Sequence, residues 1–207
     1  MSTRLTRAEM TESNRAAVLA SARRQFEQHG FHGATLEAIA DEAGFSKGVV
    51  YSRFGSKDDL FLALLEQNIE RRHQRTAEQF QQLRGPQDLP RLAEISIREN
   101  AASMAWQVAL LEFRAHAWRS PELNERYRAL HRRTVESIAG FIRELHQRAG
   151  EPAPEQASEM AIVGLASGTG AVAELMADPT LDVALFSDNL PAALVSVASR
   201  QGRKSHS

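Results

Sequence analysis

Three cations, Lys47, Arg53 and Lys57, fall in the stretch from Phe45 to Lys57, which holds no carboxylate. Tyr51 and the hydroxyls of Ser46 and Ser52 lie among them. Donors of this kind, packed into so short a segment, suit phosphate oxygens rather than bond-breaking chemistry. The flanking sequence supplies the elements to hold them. Thr35 is a good N-cap for a short helix whose apolar residues Leu36, Ile39, Ala40 and Ala43 have the spacing of one buried face. Gly44 can end that helix, because glycine takes the left-handed conformation of a tight turn cheaply. Ser46 is placed to cap a second short helix with Val50 and Phe54 on its inner side. Lys47, Gly48, Val49, Tyr51, Ser52 and Arg53 then face outward. Helix, glycine turn and second helix make a helix-turn-helix, which lays its second helix in the DNA major groove; the plainer alternative is an ordinary helical hairpin.

The stretch AGFSKGVVYSRFGSKDDLF resembles the signature of TetR-type (TetR/AcrR) transcriptional regulators. Their pattern is a Gly-x-Ser-Lys-Gly turn, an aromatic Tyr-x-x-Phe, then Ser-Lys-acidic-acidic-Leu. Residues 14–29, followed by Gly30-Phe31-His32-Gly33-Ala34-Thr35, are similar to the family's lead into its second helix. The likeness covers about residues 12–65. It implies that Lys47, Gly48, Val49, Tyr51 and Ser52 face the major groove. Gly48 would let the backbone approach, Val49 meet a thymine methyl, and Ser52 bond a base edge or a phosphate. Thr35, Tyr51, Arg53 and Lys57 become the expected phosphate contacts. The family's pattern often has a polar residue at the position of Val49 and histidine at that of Arg53, which leaves the operator sequence open.

The 207 residues are 43% hydrophobic and 25% charged, as in an ordinary globular protein. A formal net charge of −1 announces no nucleic-acid partner. Charge placement says more: Arg4, Arg7, Arg15, Arg23 and Arg24 outnumber Glu9, Glu12 and Glu27 in the first 34 residues, partly offset later by Glu37, Asp41 and Glu42. With no cysteine, disulfides, thiolate zinc sites and cysteine nucleophiles are excluded, in keeping with a cytoplasmic location. The start has no apolar run of a secretory signal, and the charge-free stretch from Met160 to Ala173 is too short to span a bilayer.

Breakers divide the remainder into helices without strand alternation, so the fold class is all-α with about nine helices. Expected helices run over about 57–83, 89–103, 104–119, 121–149, 155–177 and 183–199. The expected domains are 1–56 for DNA binding and 57–200 for effector binding and dimerisation, with 201–207 a disordered tail.

The helix over 104–119 has two apolar faces, the pattern of a helix buried on two sides. Glu112 and His116 are i, i+4 neighbours between them. One reading makes Met104, Trp106, Leu110, Glu112, Phe113 and His116 the lining of a small-molecule effector pocket. The other makes Glu112 and His116 a surface pair or satisfied core groups, and the tryptophans core. One Glu and one His are too few for a metal site, and no cofactor is implied.

Residues 160–177 place three glycines in a helix, each disfavoured by about 1 kcal/mol relative to alanine. Close approach of another helix would compensate. Gly164, Gly168 and Ala171 form a stripe flanked by Leu165, Val172 and Met176, and Phe186, Leu190 and Leu194 follow in the next segment. The resemblance implies that these two helices pair with their copies in a homodimer; a hairpin buried within one chain is the alternative. Two-fold symmetry would match an inverted-repeat double-stranded DNA operator. The function expected is a ligand-responsive repressor. Its rivals are an effector-independent regulator and an enzyme, against which stands the absence of a nucleophile elbow, phosphate loop or His-Glu-x-x-His helix.

Overall fold

The computed structural model describes residues 6–182 and 184–186, and among them every regular element is helical. Eight α-helices and one 3-10 turn follow in order. They are α1 (Arg7–Gly33), α2 (Leu36–Ala43), α3 (Lys47–Phe54), α4 (Lys57–Phe80), the turn Pro86–Asp88, α5 (Leu89–Ala102), α6 (Met104–Trp118), α7 (Pro121–Arg148) and α8 (Ala157–Ala177). Leu190, Leu194, most of the expected helix over 183–199 and the tail lie outside the described residues.

The first helix begins well before residue 14. Thr6 Oγ1 accepts from the Glu9 amide at 3.2 Å and Glu9 Oε2 accepts from the Thr6 amide at 2.7 Å. This reciprocal cap satisfies two donors that the helix start would leave orphaned. At its other end α1 breaks at Gly30, where φ is 70°. Thr35 caps α2 as expected, accepting from the Ala38 amide at 3.1 Å, and Gly44 ends it in the left-handed conformation at φ 76°. Ser46 stands at the N-cap of α3, but its side chain makes no capping bond.

The chain folds as two compact units. One combines the chain up to Arg71 with Ala105–Tyr127; the other combines Arg72–Met104 with the chain from Arg128 onward. The division therefore does not follow residue 56: α6 and the first half of α4 belong with the helix-turn-helix. The reason is aromatic. Phe26, Phe31, Phe61, Trp106 and Phe113 are all essentially buried. Phe61 stacks on Phe113 at 4.3 Å and on Trp106 at 5.1 Å between ring centres, with Phe26 and Phe31 edge-on to it. Each buried ring of this size contributes roughly 1.5–3 kcal/mol. Ser21, a buried polar residue, ties α1 to α2 by donating to the Ile39 carbonyl at 2.9 Å.

In the second unit Ala139, Ile142, Ala157, Met160 and Ala161 form one core cluster, with Leu89, Val135 and Ile138 against it. A second cluster joins Phe80, Leu83 and Leu145 to Leu89, Leu92 and Phe141. Helix α5 packs along α8. By length and composition alone α8 is apolar enough to cross a membrane, unlike the shorter charge-free stretch within it.

Candidate nucleic-acid interface

Helix α3 is held from below by Val50, which is fully buried, while Arg15 lies 5.8 Å over the ring of Phe54. Its other side is open. Val49 is 40% exposed and Tyr51 41%, and Lys47, Gly48 and Ser52 are exposed beside them. Leaving a valine and a tyrosine in water on a short basic helix forgoes burial that a core-facing helix would take. A Cβ added at Gly48 would come no nearer than 4.0 Å to anything, the hydroxyl of Ser46, so this backbone is approachable.

The cations have distinct roles. Lys47 pairs with Glu37 of α2 and lies 5.3 Å from the Tyr51 ring. That bond holds the Glu37 carboxyl below the usual range and raises the lysine above its own. Arg53 spends one arm on the chain itself, donating through Nη1 to the Thr11 carbonyl at 2.8 Å. Thr35 is exposed but its hydroxyl oxygen is engaged as the α2 cap.

Lys57 is not an outward phosphate contact. Its Nζ donates to the carbonyls of Phe31, His32 and Ala34 at 2.8, 3.3 and 3.0 Å, over the Phe31 ring. Burial holds its ammonium below the usual lysine range, against the pull of Asp58 and Glu112. The three carbonyls are left over where α1 breaks, and a cation is the natural partner for carbonyls at a helix end.

The expected lining of an effector pocket is likewise drawn into this unit's core. Glu112 Oε2 accepts from the Phe31 amide at 2.7 Å and from the His32 amide at 3.4 Å. His116 Nε2 lies 3.2 Å from a carboxylate oxygen of Asp58, and its ring is 5.0 Å from Phe31. Trp106 and Phe113 are fully buried in the aromatic stack, with the Arg23 guanidinium 4.2 Å over the Trp106 ring. The Trp106 indole N–H has no hydrogen-bond partner among the described residues. Met104 and Leu110 are half-buried, whereas Trp118, expected on an apolar face, is 78% exposed. No group of three metal-ligating side chains occurs among the described residues.

Two family models match the chain. Residues 18–64 match bacterial regulatory proteins of the tetR family, and residues 86–194 match the C-terminal part of BetI-type transcriptional repressors. The chain belongs to the TetR family. Among relatives, it is 27% identical over 182 residues to the HTH-type transcriptional regulator UidR of Escherichia coli K12, covering 87% of this chain and 91% of that protein. It is 39% identical over 59 residues to the transcriptional repressor AcnR of Corynebacterium glutamicum, which is 28% of this chain and 31% of that protein. The fold is shared with FadR of Bacillus subtilis, solved with stearoyl-CoA, at a TM-score of 0.71 and 16% identity over 87% of this chain and 97% of that one. The protein is a DNA-binding transcriptional regulator with the family's all-helical fold.

For this TetR-family regulator the stripe expected at a subunit interface needs correction. Gly168, Ala171 and Val172 are buried within their own chain, and a Cβ at Gly168 would stand 3.3 Å from the Asn100 amide nitrogen. The opposite face of α8 is the exposed one, carrying Ile162, Ala166, Gly170, Ala173 and Met176. Ile162 and Met176 are large apolar residues left about half exposed, at 49% and 46%. Leu165 and Phe186 are half-buried. The glycines had suggested close helix approach correctly in kind; the approaching helix is α5 of the same chain.

Proposed function

We propose that this regulator is a ligand-responsive repressor that binds an inverted-repeat operator as a homodimer in the cytoplasm. The observation that carries the DNA half is the open face of α3, where Lys47, Gly48, Val49, Tyr51 and Ser52 stand exposed over a buried Val50. Val49 and Ser52 meet base edges; Lys47 and Tyr51 hold phosphates, with Thr35 and the free arm of Arg53 at the margin. Glu37 must release Lys47 to a phosphate on binding, an exchange of one anion for another. Affinity then falls steeply with salt, through phosphate contacts doubled by dimerisation.

Repression and response to a ligand are supported by the BetI-type repressor match and by the acyl-CoA held by the FadR neighbour. A second copy docks on the exposed stripe Ile162, Ala166, Gly170, Ala173 and Met176. Small residues along this line let helices approach closely, and an unburied isoleucine and methionine gain from being covered. The switch runs through the peptide segment 31–34, which α4 holds through Lys57 and α6 through Glu112. A ligand that favours one position of either helix moves the reading head with it, provided it binds the two states unequally.

Selection of the purified protein against random duplex DNA, followed by sequencing, tests this. Enrichment of an inverted repeat with half-sites one or more helical turns apart is the expected result. Enrichment of a single half-site removes the dimer, and enrichment of nothing from folded protein at low salt removes the DNA-reading role of α3.

A further inference from the structure

The second unit contains a cation that the fold does not obviously need. Arg72 lies on the inward side of α4 and donates through Nη1 to the side-chain oxygen of Asn100 on α5 at 2.8 Å. A guanidinium has five N–H donors in a planar fork, so one amide oxygen leaves most of its capacity unspent. Burial pulls Arg72 below the ordinary arginine value; Glu99 opposes that effect and the like charge of Arg75 adds to it. No carboxylate is its hydrogen-bond partner among the described residues.

The space beside it is shaped by glycine. Asn100 presents its amide nitrogen to Gly168, where a Cβ would stand at 3.3 Å. One turn earlier on α8, Gly164 lies on the same inward stripe as Met160, Ala161, Gly168 and Ala171, yet a Cβ there would meet nothing within 4 Å. An inward glycine facing unfilled space is the opposite of the close packing at Gly168. Ile97, one turn before Asn100 on α5, is buried and gives this wall an apolar side. A desolvated cation, an amide and an unfilled apolar strip occur together.

We propose that Arg72, presented with Asn100 beside the glycine stripe of α8, binds the carboxylate or phosphate group of a small-molecule effector whose apolar body lies along Gly164. The proposal deepens the ligand-responsive reading and rests on it. Arg–carboxylate and Arg–phosphate pairs are bidentate and charge-assisted, which gives such a site both affinity and orientation. Asn100 fixes the guanidinium plane and can donate to the same anion. Without the anion the buried charge is a cost that the fold carries for function.

The test uses the full chain and needs no identified effector. Calorimetric titration with octanoate, with octanamide and with inorganic phosphate is run on the wild type and on Arg72→Gln, which keeps a hydrogen bond for Asn100 and loses the charge. Octanoate or phosphate is expected to bind the wild type and to bind Arg72→Gln at least about tenfold more weakly, with octanamide indifferent to the change. Equal binding to both proteins, or no binding of either anion to the wild type, overturns the proposal. Thermal unfolding of Arg72→Met without ligand gives an independent reading. A Tm raised by a few degrees fits a charge kept for a ligand, and a lowered Tm assigns Arg72 to holding α4 on α5 and overturns it. Because binding is read on protein alone, its failure leaves operator recognition untouched. An anion that binds without changing operator affinity keeps the site and removes the switch.

Discussion

Glu112 and Lys57 grip the same short peptide segment by opposite poles. The carboxylate accepts the amides of Phe31 and His32, while the ammonium donates to the carbonyls of Phe31, His32 and Ala34. That segment is where α1 breaks and α2 begins, so its exposed peptide dipoles need partners on both sides. Supplying them from α6 and α4 makes the head's geometry depend on where those two helices stand.

Removing the anionic half should be costly. Glu112→Ala leaves two amides short of a charged acceptor and is expected to lower stability by about 1–3 kcal/mol. Gly30→Ala is expected to lower it as well, because φ is 70° there and the new Cβ would stand 2.6 Å from Glu112 Oε2. The double variant should lose less than the two single losses added together, since the clash disappears with the carboxylate while the backbone strain remains. Urea denaturation of the four proteins measures this, and strict additivity would separate Gly30 from Glu112.

Lys57 and Tyr51 should part company. Lys57→Met is expected to lower the unfolding midpoint and leave the salt dependence of operator binding as it was, since this ammonium faces carbonyls within the protein. Tyr51→Ala is expected to leave the midpoint unchanged and to lose roughly 1–3 kcal/mol of operator affinity. Unfolding and fluorescence-anisotropy titrations on both variants decide it; a shallower salt slope in Lys57→Met would return that lysine to the DNA.

Acid should loosen the start of α4 through Asp59. Its carboxylate accepts from the Ser56 hydroxyl at 2.5 Å and from Arg126 at 2.6 Å. Partial burial opposes ionisation, but these bonds outweigh it and the folded pKa lies below the ordinary value. A depressed carboxylate stabilises fully above its unfolded pKa of about 3.9 and loses that contribution as pH falls through the folded value. Asp59→Asn should therefore be less stable than the wild type at neutral pH, and the gap should narrow below about pH 4. Thermal melts across that range test the sign, and a gap that widens in acid contradicts it.

The helix-turn-helix was legible because each of its parts is local: a capping threonine, a glycine in the left-handed region and an inward Val50 can be read a few residues at a time. Lys57 and Glu112 were misjudged because their partners lie far off in the chain, at Phe31 to Ala34, and exposed and clamped cations look alike in sequence. The signal that could have found them is Gly30. A glycine that breaks a helix strands peptide groups, and charged side chains elsewhere must meet them. The glycine stripe of α8 failed differently. Its period showed which residues share a face, but not whether α5 or a second copy covers it.

That ambiguity makes α8 the place for a decisive pair of substitutions. Gly164 has helical backbone and room for a methyl, so Gly164→Ala should stabilise the chain by up to about 1 kcal/mol through propensity alone. Were Gly164 instead the point of closest approach between two subunits, the added methyl would force them apart and weaken the dimer. Ala166→Glu acts on the opposite, exposed side. It puts a charge on the stripe between Ile162 and Gly170, and an interface there would have to bury that charge unpaired. The expected outcome is a folded Ala166→Glu chain with unchanged helicity that sediments as a monomer, beside a Gly164→Ala chain that remains dimeric. Analytical ultracentrifugation with circular dichroism reads both. A dimeric Ala166→Glu with a monomeric Gly164→Ala would move the interface back to the glycine stripe, and α5 would then have to give way to the second copy.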